Sequence, residues 1–248
     1  AISACEKGGQ WEQALELLQR ARRRGLPLDL VACSAALSAC EKGKQWQWAL
    51  ALLHQMQADK LEPDMIACCA AINACDKGDR WDYVLGILEE MRRRHFTLGV
   101  TTYNVALGAA GRGLRWAQAL ALLGELGEGR LRPDVIGCSA ALAACERCGE
   151  WQQALGLLEE MAAMELQLDA IACTSVVGAC GRGGRCREAL GFFDDMQWRR
   201  VLPDVAACGA AIGVCEAALR CGRVPGLLDS AVRRGLELSF PAVHGAAR

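Results

Sequence analysis

The stretch LVACSAALSACEKGKQWQWALALLHQMQADKLEPD, residues 30–64, decides the fold, because its pattern returns from residues 65, 100, 135, 170 and 205. Its alanine-rich opening runs to Gly43, and Gly78 and Gly113 fall at the same place in the next two copies, where glycine suits a helix stop. A second run opens at Trp46 and sets Ala49, Leu50, Leu53 and Met56 three and four residues apart, the spacing of an amphipathic helix. Pro63, Pro133 and Pro203 end the loop that follows, where no helix could continue. Each copy therefore reads as helix, short turn, helix and loop.

The copies are evenly spaced. Trp11, Trp46, Trp81, Trp116 and Trp151 step by 35 residues, and Asp29, Asp64, Asp134, Asp169 and Asp204 lie on a parallel grid whose vacant slot is Gly99. Opening each unit after that Asp gives repeats at 30–64, 65–99, 100–134, 135–169 and 170–204, preceded by a partial repeat at 1–29. A degenerate repeat at 205–239 has Pro225 inside its expected second helix and Cys221 where Trp should stand; residues 240–248 are left as a tail. No strand-like alternation appears. The predicted fold class is all-α, an α-solenoid superhelix of tandem helix-turn-helix repeats in which stacked neighbours bury faces that no hairpin could hide alone. The chain begins partway through a repeat and is expected to be a fragment.

With 248 residues, 52% of them hydrophobic, the chain has ample material for a core. Its net charge of −1 does not announce a nucleic-acid binder, so any such reading must rest on where the charges sit. Apolar runs such as 65–72 are broken too early to span a membrane, here at Asn73, and no membrane partner is expected. The opening AISACEKGG has neither the charged and apolar regions of a signal peptide nor the arginines of a transit peptide.

The 15 cysteines mostly fall on two columns. Cys5, Cys40, Cys75, Cys145, Cys180 and Cys215 form one, with Ala110 in its missing slot; Cys33, Cys68, Cys138, Cys173 and Cys208 form the other. Recurrence once per repeat points to small apolar packing by reduced thiols. Cys145 and Cys148 make the sole C-x-x-C, and His54, His95 and His244 are scattered, so neither a metal site nor a catalytic pairing is expected. The reading is of a non-enzyme with no cofactor and no small-molecule substrate.

Sorting the first helix by face separates packing from display. Cys33, Ala36, Leu37 and Cys40 share one face, apolar in every repeat and therefore core. Val31, Ser34, Ser38 and Lys42 share another, carrying an apolar, a polar, a small and a cationic residue in that order. The stripe returns as Ile66, Cys69, Asn73 and Lys77; as Thr101, Asn104, Gly108 and Arg112; as Ile136, Ser139, Ala143 and Arg147; and as Ile171, Thr174, Gly178 and Arg182. Its cations, together with Lys7, form a basic line that can follow a phosphate backbone. They also sit at a helix C-terminus, where the dipole favours them, beside the carboxylates Glu6, Glu41, Asp76 and Glu146, and both readings stand. The Asp column likewise suits both helix capping and base contact, while the Trp column reads as core or inter-repeat packing.

The stretch VTTYNVALGAAGRGLRWAQALALLGELGEGRLRPD, residues 100–134, resembles the pentatricopeptide repeat, which opens much like VVTYNTLI, turns at Lys-Gly, continues EALELF to a Met and closes on PD. The resemblance covers residue 1 to about 239; the rival tetratricopeptide repeat differs in period and motif. It implies sequence-selective binding of single-stranded RNA, one base per repeat, in organellar RNA stabilisation or processing. That would place the protein in a mitochondrion or plastid, with other RNA-processing proteins as possible partners. It further implies that Ser34 with Asp64, Asn104 with Asp134, Ser139 with Asp169, and Thr174 with Asp204 read base edges, while Val31, Ile66, Ile136 and Ile171 pack on base faces. By the family's code a small hydroxyl with Asp favours G and Asn with Asp favours U, so residues 30–204 would prefer G-N-U-G-G. Cys69 with Gly99 and Gly209 with Ser239 are poor readers. The alternative is a protein-interaction scaffold holding an extended peptide in its concave groove.

Overall fold

The computed structural model describes residues 1–26, 28–129, 131–198 and 205–217. Among them lie thirteen helices and no strand. The first helices of the repeats are α1 (Ile2–Lys7), α3 (Leu30–Lys42), α5 (Met65–Lys77), α7 (Val100–Arg112), α9 (Val135–Cys148), α11 (Ala170–Arg182) and α13 (Val205–Ala217). The second helices are α2 (Trp11–Arg23), α4 (Trp46–Ala58), α6 (Trp81–Arg93), α8 (Trp116–Glu128), α10 (Trp151–Ala163) and α12 (Cys186–Trp198).

The chain divides into two compact units, one of residues 1–113 and 124–132, the other of 114–123 and the described residues from 133 onward. In the first unit α1, α3, α5 and α7 stack in order, and each second helix from α2 to α6 packs against the first helices on either side of it. In the second unit α9, α11 and α13 stack, with α10 wedged between the first pair and α12 between the second. Both units are all-α solenoid stacks of helical hairpins.

The columns of small residues make this stacking possible. Cys33, Ala36, Leu37 and Cys40 and their counterparts in α5, α9 and α11 are all buried; α3, α5 and α11 are each enclosed by a first helix on either side and by their own partner. Ala35 and Ala39, off that face, are buried too, so these helices hide most of their circumference. The described cysteines are free, and loss of water around them pushes the thiols of Cys40, Cys68, Cys138, Cys145 and Cys180 up to about 11 and that of Cys75 to about 12. They stay protonated at neutral pH and serve as packing, poor nucleophiles by construction.

The glycines at 43, 78 and 113 stand where the first helices stop, each as the C-cap, but not in the left-handed region. Gly43 and Gly78 keep right-handed φ values of −77° and −90°, and the left-handed residue is the next one: Lys44, Asp79 and Leu114, with φ of 55–56°. The glycines answer to the tryptophan of the preceding repeat. A Cβ on Gly43 would lie 2.4 Å from Trp11, one on Gly78 would lie 2.3 Å from Trp46, and one on Gly113 would lie 2.6 Å from Trp81. Trp151 crowds Gly183 in the same way at 2.7 Å. The Trp column is therefore inter-repeat packing against a flat backbone patch. At the slot matching Gly113, α9 carries Cys148, runs one residue longer and turns at Gly149, φ 74°.

Candidate nucleic-acid interface

Each Asp of the grid that the structure describes caps a first helix, taking up a backbone N–H that would otherwise lack a partner. Asp29 accepts from the Ala32 amide at 2.8 Å, Asp64 from Ala67 at 2.8 Å, Asp134 from Gly137 at 2.8 Å and Asp169 from Ala172 at 2.7 Å. Gly99 heads α7 without a side-chain cap. These caps fix where the first turn begins, and so fix what that turn displays. Val31, Ile66, Ile136 and Ile171 are 69, 64, 68 and 62% exposed, and Thr101 is exposed at the matching place in α7.

The fifth place of each repeat differs from copy to copy. The hydroxyl of Ser34 is buried and donates to Asp64 at 3.3 Å, so that carboxylate serves the helix cap and the fifth-place side chain together. Thr174 instead donates to the carbonyl of Ala170 in its own helix at 2.6 Å. The half-buried Ser139 has a buried hydroxyl oxygen with no hydrogen-bond partner. The sulfur of Cys69 lies 3.8 Å from the Thr102 hydroxyl of the next repeat. Asn104 is half-buried on α7. Asp204 lies outside the described residues, as do Pro203, Cys221, Pro225 and Ser239.

At the far end of the stripe the cations form a ladder between repeats. Lys42 reaches back to Glu6, 2.9 Å from its carbonyl and 3.7 Å from its carboxylate. Lys77 pairs with Glu41 at 3.0 Å, Arg112 with Asp76 and with Asp79 at 3.0 Å, and Arg182 with Glu146 at 3.3 Å. In every rung the carboxylate of the earlier repeat lies 36 residues before its cation. Sequence reading placed these acids beside the cation of their own repeat; stacking gives them instead to the next. The signal was present as an acid directly before each of Lys7, Lys42, Lys77 and Arg147. Arg147 is exposed and makes no ion pair or hydrogen bond among the described residues.

On the second-helix side of the first unit, Leu50, Leu53, His54, Tyr83, Ile87 and Arg94 line an open groove of about 570 Å³. Beside it the Arg80 guanidinium lies over Trp46 at 4.5 Å and over Tyr83 at 5.0 Å while bonding Asp82. That bond holds the exposed Asp82 carboxyl below its usual range and the Arg80 guanidinium above its own. Among the described residues no cluster of His, Cys, Asp and Glu could hold a metal ion, and no helix is long and apolar enough to cross a membrane.

Capped helical hairpins that stack through their first helices, and show an apolar side chain at each first turn, define a class: tandem helical-repeat proteins with a display stripe. Comparison with known families narrows it. A family model described as a pentatricopeptide repeat domain matches residues 16–77 and 51–113, and a second, described as a PPR repeat, matches 1–26, 138–166 and 171–201. The chain belongs to the pentatricopeptide repeat family. Among solved structures it is similar to the pentatricopeptide repeat protein PPR10 from maize, at 28% identity and a TM-score of 0.64 over 95% of this chain. It spans 34% of that maize chain. PPR10 in complex with an 18-nt psaJ RNA element matches at 14% identity and a TM-score of 0.58, over 95% of this chain and 39% of that one. The PPR domain of protein-only RNase P 1 from Arabidopsis thaliana, in complex with tRNA, matches at 17% identity and a TM-score of 0.58, over 68% of this chain and 89% of that one. These last two are likenesses of fold. A search of curated proteins found no match.

Proposed function

We propose that the chain binds single-stranded RNA along the stripe of its first helices, about one base per repeat, as a binder with no chemistry of its own. The observation that carries this reading is the set of Val31, Ile66, Ile136 and Ile171, each more than three-fifths exposed at the head of its helix. Four large β-branched side chains left in water at one place per repeat have no packing role, yet they are stiff platforms for the apolar face of any base. Solved complexes of two similar proteins with RNA support the choice of ligand.

In this reading Ser34 with Asp64, Asn104 with Asp134, Ser139 with Asp169 and Thr174 with Asp204 select the base edge. Lys42, Lys77, Arg112, Arg147 and Arg182 lie on the phosphate side. The repeats run as 30–64 through 170–204, with a partial repeat before and a degenerate one after. The setting is RNA stabilisation or processing in a mitochondrion or plastid, alongside other RNA-processing proteins. Selection of bound RNA from a random single-stranded pool tests it: G-N-U-G-G should be enriched, and loss of any preference for G over A at the last two places would sink the code. Ile136→Ala with Ile171→Ala should weaken binding of the selected RNA by about 1–3 kcal/mol per base, read by titration at fixed salt. Binding left unchanged would remove the platforms from the site.

A further inference from the structure

The five repeats between residues 30 and 204 do not present their polar groups to a ligand in the same state. Two groups matter in each, the fifth-place side chain and the cation that ends the helix. In 30–64 both are engaged, Ser34 by Asp64 and Lys42 by Glu6. In 65–99 and 100–134 the cations Lys77 and Arg112 are tied to Glu41 and to Asp76 with Asp79. In 170–204 Thr174 is spent on its own helix and Arg182 on Glu146. The repeat at 135–169 is different. The hydroxyl oxygen of Ser139 is buried without a hydrogen-bond partner, and the exposed Arg147 has no ion pair.

Within each unit the ladder hands a cation to an acid 36 residues earlier; in the sequence the position 36 before Arg147 is Gly111, which carries no carboxylate. Glu146, adjacent in sequence, is already taken by Arg182. On the same helix Ile136, 68% exposed, shares the stripe with Ser139 and Arg147.

From this, and resting on the RNA reading above, we infer that the repeat at 135–169 anchors the strand, with Arg147 taking a phosphodiester and Ser139 the edge of the base held on Ile136. A phosphate that reaches Lys77 must displace or share the Glu41 carboxylate, one anion exchanged for another. A phosphate that reaches Arg147 displaces only water and mobile counterions, and the planar guanidinium can grip two of its oxygens. Among the cations of these five repeats, counterion release is therefore concentrated at Arg147, at about 0.7 of a logarithmic salt-slope unit per phosphate contact on a single strand. The unsatisfied Ser139 hydroxyl gains a partner on binding and gives up none.

The test is a salt titration of the full 248-residue chain with a random-sequence single-stranded RNA oligonucleotide, folding of each variant being checked by thermal melt. Arg147→Ala should lower the slope by about 0.7 and weaken binding about tenfold at low salt. Arg147→Lys should restore the slope, because charge rather than packing is at issue. Lys77→Ala should lower it by less than Arg147→Ala does, because Glu41 already offsets that charge. Glu146→Gln should raise it by about 0.7 by releasing Arg182, a gain that no merely structural role predicts. If Arg147→Ala keeps the wild-type slope while Lys77→Ala lowers it, the anchor is wrong and the RNA reading survives. Absence of salt-dependent binding by the wild type would overturn both.

Discussion

Ile66 and Ile72 belong to one helix, carry one side chain and lie less than two turns apart, yet the first is 64% exposed and the second 1%. Ile72 sits in the column with Cys68 and Cys75, enclosed by α3, α6 and α7. Ile66 stands on the first turn, which the Asp64 cap holds at the edge of the stack. The difference teaches that periodic hydrophobicity marks what recurs and not what is buried. Only the stacking of neighbours separates an apolar residue kept for the fold from one kept for a ligand.

The sharpest break in that comparison is to truncate both. Ile72→Ala should cost about 3 kcal/mol in urea denaturation by opening a cavity in a closed core. Ile66→Ala should cost less than about 0.5 kcal/mol while weakening RNA binding. Equal stability losses would show that the second place belongs to the core after all. Next in size is Gly78→Ala, whose added Cβ would lie 2.3 Å from a Trp46 ring atom. A loss of about 2 kcal/mol is expected. In a Trp46→Ala background the same change should be close to neutral, and an undiminished loss there would place its origin in the turn.

Burial of the cysteine columns predicts a one-sided pH profile. The unfolded thiols ionise near 9.0, while folded Cys40 and Cys75 hold their protons to about 11 and about 12. Above 9.0 the unfolded chain binds fewer protons than the folded one, so this contribution is whole at neutral pH and is lost as pH climbs toward 12. Thermal midpoints should fall across that window, and the fall should shrink in a Cys75→Ala variant. The smallest effect is a gain. Leu114 is exposed and holds φ at 56°, so Leu114→Gly should stabilise by up to about 1 kcal/mol. A loss instead would show that its side chain packs usefully.

Much of the fold was legible. The helices begin at Leu30, Met65, Val100, Val135 and Ala170 because an Asp or Gly precedes each, and the cysteine columns are buried as their spacing required. What the sequence hid were relations between repeats. A recurring glycine near a helix end looks the same whether it relieves backbone strain or makes room for a neighbour, and only the position of Trp46 against Gly78 decides. An acid beside a cation looks like its partner until stacking hands it to the next repeat, as with Glu41 and Lys77. The fifth-place residues share one address, yet Ser34 turns to Asp64 and Thr174 to its own helix, a choice of rotamer that no spacing encodes.

The tryptophan and the glycine that receives it have a bearing on how such a chain can be lengthened or shortened. Trp46 lies in the copy at 30–64 and Gly78 in the copy at 65–99, so tenon and mortise are always cut in different pieces. A cassette from 30–64, 65–99 or 100–134, inserted whole, brings one of each. A cassette from 135–169, which carries Cys148 at the mortise, would seat poorly beside most of its siblings. Copies of this array are thus interchangeable by length but not by fit, and shuffling them would sort sequences by their joinery before any ligand was tried.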